Sequence, residues 1–154
     1  MATSPATREA LMESFDRRVQ EAIRWYETSA STASGKVGTW GPKEVLAHCI
    51  FWHQVTAEGM ESVARNGPPR RTTAPTDDLN AQAVAQRAGK TLADLVAEAR
   101  QVHQRLVQAA RSISNWDSIV LVRVDGTTQT VRQRLERIPN HWWEHIAQLE
   151  GKAS

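Results

Sequence analysis

One cysteine, Cys49, is present in this 154-residue chain, so no internal disulfide can staple it and the fold does not call for an oxidising compartment. No apolar run approaches the ~20 residues that cross a bilayer. The first residues lack the basic start and apolar stretch of a signal peptide, so the expected setting is the cytoplasm, with no membrane role. Charge of one sign is scarce: 19 Lys+Arg against 17 Asp+Glu leave +2, too little excess for a nucleic-acid surface. A Gly-rich phosphate loop, a CxxC pair and an HExxH motif are missing, and no Ser-His-Asp set stands out from spacing. Phenylalanine and tyrosine are sparse, 2 and 1, whereas tryptophan reaches 6 and histidine 5. With 40% hydrophobic and 23% charged residues the mixture is that of a globular protein. The length suits one domain, 1–154, which can bury roughly 68–70% of its unfolded surface without staples.

Hydrophobic period divides the chain. Residues 7–29 carry Leu11, Phe15, Val19, Ala22, Ile23 and Tyr26 at three- and four-residue spacing, predicting an amphipathic helix. A second helix opens at Gly41-Pro42 with Glu44 near its positive end and stops at Asn66-Gly67-Pro68-Pro69. A short accessory helix over 77–89 ends at Gly89. Thr91 with Asp94 forms a capping box for a helix whose face runs from Leu92 to Ile113. The period then changes. Residues 119–124 are β-branched and meet Asp125-Gly126, a hairpin signal. Thr130 with Gln133 caps a last helix through Leu149, in which Pro139 predicts a kink or restart. The fold class is all-α: a four-helix bundle with an accessory short helix and a small hairpin before the last helix.

The histidines fall on inward faces. His141 and His145 stand one turn apart beside Ile138, Trp142 and Leu149. His48 lies among Val45, Cys49, Trp52 and Val55 on the second helix. An i, i+4 pair with a third imidazole from a facing helix makes a three-nitrogen site suited to Zn, Ni, Fe or Cu, with positions open for water or substrate. The same spacing also suits three packed histidines satisfied by carbonyls and carboxylates. His53 should point to the rim, His103 should pack, and Cys49 should be a structural thiol. Glu144 should point off the ligand face, and Arg65, Arg70 and Arg71 should be solvated charge.

The runs TWGPKEVLAHCIFW, DDLN and TVRQRLERIPNHWWEHIAQL, in that order across 40–149, resemble the DinB/YfiT-like family of metalloenzymes. The resemblance implies a bundle in up-down-down-up order, with a divalent metal, zinc or nickel foremost, on His48, His141 and His145. Family members include thiol-dependent S-transferases and maleylpyruvate isomerases. A related branch, the colibactin self-resistance (ClbS/DfsB-like) proteins, includes a cyclopropane hydrolase in which the triad is not the working part. Pro139 and Cys49 depart from the family pattern.

The leading expectation is a metal-dependent transferase or isomerase that activates a low-molecular-weight thiol against an electrophilic small molecule. Trp52, Asn80 and Trp142 would shape its substrate pocket. The alternatives are a metal-independent hydrolase or sequestering protein for a reactive metabolite, and a non-catalytic dimeric bundle. Trp142 and Trp143, about 100° apart on one helix, cannot both face inward, which suggests an exposed apolar patch and a homodimer.

Overall fold

The computed structural model describes residues 5–152. Helix α1 (Pro5–Thr28) buries Phe15, Val19, Ala22, Ile23 and Tyr26 as its spacing predicts, with Met12 buried in place of Leu11, which is only partly covered. Helix α2 (Pro42–Ala64) begins where the Gly41 backbone N–H donates to the Glu44 carboxylate at 2.9 Å. Helix α3 (Thr76–Gln86) is the accessory helix, shorter than the expected span. Helix α4 (Leu92–Ser112) starts at a reciprocal capping box: Asp94 N donates to Thr91 Oγ1 at 3.0 Å, and Thr91 N to Asp94 Oδ2 at 3.1 Å. Helix α5 (Val131–Leu149) repeats the device with Thr130 and Gln133. These caps satisfy amide groups that the first helical turn leaves without partners.

Helices α1 and α2 each pack against both α4 and α5, which closes a four-helix bundle, and α3 lies against α2. Helix α2 is the most enclosed: from Val45 to Met60 it is buried on nearly every face. One side meets α4, another α5, and a third carries a small sheet. The correction to His53 follows from that position. Its side chain is not at the rim but buried, because the face of α2 opposite His48 meets α4 rather than solvent.

The hairpin strands are β2 (Ile119–Val122) and β3 (Thr128–Thr130), antiparallel, with Gly126 at a φ of 88° in the turn. A third strand, β1 (Arg70–Arg71), pairs parallel to β2 with Arg70 opposite Leu121. The sheet order is β1-β2-β3. Gly59 lets this sheet sit directly on α2: a Cβ there would stand 2.0 Å from the Val120 carbonyl oxygen.

Of the kink or restart expected at Pro139, the restart does not occur: α5 runs unbroken through that residue. Leu135, Ile138, Trp142, Ile146 and Leu149 are all buried along it, and that burial outweighs the ~3 kcal/mol an interior proline costs. Trp142 is enclosed against Tyr26 and His53. Trp143 is half-buried, its Nε1 donating to the Arg18 carbonyl at 3.0 Å. The large exposed hydrophobics among the described residues are Ile119 and Val124, so the tryptophan patch on which the dimer expectation rested is not present.

Candidate metal centre and cavity

Val45 precedes His48 by three residues on α2, and its carbonyl oxygen lies 3.1 Å from His48 Nδ1. That contact makes Nδ1 the protonated nitrogen and leaves the Nε2 lone pair free. On α5, His145 Nδ1 lies 2.8 Å from Gln148 Oε1, and the same logic frees His145 Nε2. That Nε2 lies 2.9 Å from His141 Nε2. The three rings gather closely: His48 is 5.1 Å from His141 and 5.0 Å from His145, centre to centre, and His141 is 4.4 Å from His145. Trp40 covers His48 at 5.5 Å. Its loop is tied down by Gly35, whose N–H donates to the Leu149 carbonyl at 2.8 Å.

Burial first, and then the charge of His145, pull His48 down to about 4. Burial, the two neighbouring histidines, Arg134 and Arg123 pull His141 down to about 3. Both imidazoles are therefore neutral at pH 7 and present lone pairs. Uncharged nitrogens, two of them oriented by hydrogen bonds on their far side, form a donor set that fits a borderline divalent cation. Cys49 is a rival third donor, since its sulfur and nitrogens of His48 and His141 lie within 4.8 Å of one another. Its sulfur, however, faces the His48 Nδ1 already committed to Val45, at 3.9 Å, and complete burial pushes its thiol up. His145 also offers its Nε2, which is turned to His141.

Two openings flank the cluster. A cavity of about 440 Å³ is walled by His48 and His141 with Trp52, Asn80, Arg123, Gln129, Arg134 and Glu144. A groove on the other side reaches His145 past Trp40 and Asp77. Of the residues expected to form the pocket, Trp52 and Asn80 line this cavity, and Trp52 Nε1 donates to Asn80 Oδ1 at 2.6 Å. Trp142 does not; it sits in the core, 2% exposed, because its face of α5 turns to α1 and α2. Glu144 does face the cavity, against expectation. Arg123, Arg134 and Arg137 also stand on this wall, and no spacing in the sequence marks them. Arg70, expected as solvated charge, pairs with Glu58 at 3.2 Å.

The family model described as the DinB superfamily matches residues 6–149, and the chain belongs to that superfamily. No curated protein matches it. Among solved structures, the mycothiol-dependent maleylpyruvate isomerase is similar in fold, with a TM-score of 0.70 and 13% identity over 96% of this chain and 61% of the other. A histidine-to-alanine mutant of that isomerase gives 0.68 and 13%, over 99% and 62%. The chain thus spans about three fifths of the length of these isomerases.

Proposed function

We propose that this DinB superfamily member is a metal-dependent small-molecule enzyme, with His48, His141 and His145 as ligands. It would use a low-molecular-weight thiol to act on an electrophilic substrate, by S-transfer or isomerisation. The carrying observation is the gathering of three imidazoles from α2 and α5 at the wall of a cavity, with His48 and His141 held neutral. The fold likeness to a mycothiol-dependent isomerase supports the thiol, and an all-nitrogen donor set is compatible with the zinc or nickel we propose.

A bound divalent cation supplies Lewis acidity, which lowers the pKa of a thiol or water beside it. The chain's own residues do the rest. The Val45 carbonyl and Gln148 hold His48 and His145 in the tautomer that turns Nε2 outward. Trp40 packs on His48, and Asn80, fixed by Trp52, offers its amide N–H to a substrate oxygen. No helix is long and apolar enough to cross a membrane. We place the activity in the cytoplasm, where a thiol cosubstrate stays reduced.

Elemental analysis of tag-free protein tests the reading. About one zinc or nickel per chain is expected, falling to background in the His48→Ala protein. Background metal in both, or turnover of an electrophile without metal or thiol, would overturn it.

A further inference from the structure

Arg134 is a buried cation without a counter-ion among the described residues. It is 6% exposed on the first half of α5. Its Nε donates to Thr56 Oγ1 at 3.1 Å and its Nη1 to Gln129 Oε1 at 3.4 Å, both neutral groups. Each has another bond already: Thr56 donates to the Trp52 carbonyl at 2.8 Å, and Gln129 Oε1 lies 3.5 Å from Arg123 Nη2. No carboxylate among the described residues bonds Arg134, and the charges that act on it are Arg123 and Arg137, of the same sign. Burial first, then those neighbours, draw it down to about 9, so it remains a cation at pH 7.

Elsewhere several arginines are paired with carboxylates. Arg87 meets Glu98, Arg100 meets Glu27 and Arg105 meets Glu61. Around the cavity the pattern reverses. Arg123 stacks over Trp52 at 4.4 Å and bonds Thr76 Oγ1 at 3.1 Å, with only the exposed Asp125 nearby to oppose its charge. Arg137 completes the wall, and Glu144 on the same wall is not among the groups acting on Arg134. A buried ion left unpaired is costly, so its retention calls for a charge that arrives from outside. Guanidinium groups recognise oxyanions by paired N–H donation. Arg134 and His141 are seven residues apart, two turns along one face, a rise of about 10 Å. One small molecule can therefore reach both.

We propose that this cavity binds an oxyanion of a small molecule, a carboxylate or a phosphate, with Arg134 as its main counter-ion and Arg123 and Arg137 in support. That the anion belongs to the substrate of the histidine site rests on the function proposed above; the anion site itself does not need the metal.

The test uses metal-free protein at pH 7 and constant ionic strength, titrated with sodium acetate, sodium phosphate or sodium chloride. Tryptophan fluorescence and melting temperature are followed. Wild type should respond saturably to acetate, to phosphate or to both beyond the chloride control, and which of them acts assigns the oxyanion. Arg134→Gln should weaken that response at least tenfold, while His48→Ala retains it. In anion-free buffer Arg134→Met should melt above wild type, because an unpaired buried charge is gone, and should gain nothing from either anion. The proposal falls if neither anion exceeds chloride, if Arg134→Gln binds as wild type does, or if Arg134→Met melts lower. Loss of binding in His48→Ala with retention in Arg134→Gln would put the anion on the histidines and also overturn it. Because no metal is present, failure here is separate from failure of the elemental analysis.

Discussion

At the scale of single residues, His53 ties the stability of the bundle to pH. Its side chain points away from His48 into the wall of the core that α2 shares with α4. There its Nε2 lies 3.0 Å from His103 Nδ1, and His103 Nε2 lies 2.7 Å from Asp16 Oδ1. The acid fixes the tautomers: His103 donates from Nε2 to Asp16 and accepts at Nδ1 from His53. His53 Nδ1 is then a buried lone pair without a partner. Burial lowers the pKa of both imidazoles; for His103 it outweighs the opposing pull of Asp16. Their folded pKa values lie below the unfolded value near 6.5, so the unfolded chain takes up more protons as pH falls. Stability is therefore fully present above pH ~7 and declines below ~6.5, each neutral histidine removing at most about 1.4 kcal/mol per pH unit. His48 and His141 add to the decline in metal-free protein. Urea unfolding at pH 7, 6 and 5 should show this loss, with a shallower pH slope in His53→Leu by up to one proton. An unchanged slope would mean that His53 does not resist protonation.

At the scale of elements, helices were read well where a cap and a periodic face agreed. Thr91 with Asp94 and Thr130 with Gln133 start α4 and α5 at the predicted places. Local rules failed where a distant contact decided the outcome. Pro139 is tolerated because α5 is clamped along its buried stripe. Strand β1 is two residues long and exists only because β2 offers it an edge, so no period within RR reveals it. That edge depends on how closely β2 approaches α2, and Gly59 sets the approach. Gly59→Ala should destabilise by about 1–3 kcal/mol, since its Cβ would stand 2.0 Å from the Val120 oxygen and the strand must shift. Gly89→Ala is the control: nothing lies within 4 Å of its added Cβ, and the expected change is neutral to about 1 kcal/mol stabilising. Denaturant midpoints of the two proteins check the pair. Equal midpoints would show that the sheet does not rely on close contact at Gly59.

At the scale of the whole molecule, the bundle and half of the site were legible, because both are written in helical period. His141 and His145 share a face by spacing alone, and His48 occupies the apolar side of its own helix. The arginine wall was not legible. Arg123 comes from the end of the hairpin and Arg134 and Arg137 from α5, so only the docking of the sheet on α2 brings them round one cavity. The bundle is held by an apolar core in which Phe15, Ile23, Ile50, Leu95, Leu106 and Trp142 are buried. A protein with such a core does not need metal to fold, unlike a zinc finger. Wild type stripped by chelator should thus keep its helical circular dichroism, and His48→Ala and His145→Ala should melt close to it. Adding zinc should raise the melting temperature of wild type alone, since a ligand stabilises only the form that binds it, by about 2.7 kcal/mol at a hundredfold excess over Kd. If His145→Ala unfolds in metal-free buffer where stripped wild type stays folded, the histidines hold the bundle together and their role is structural.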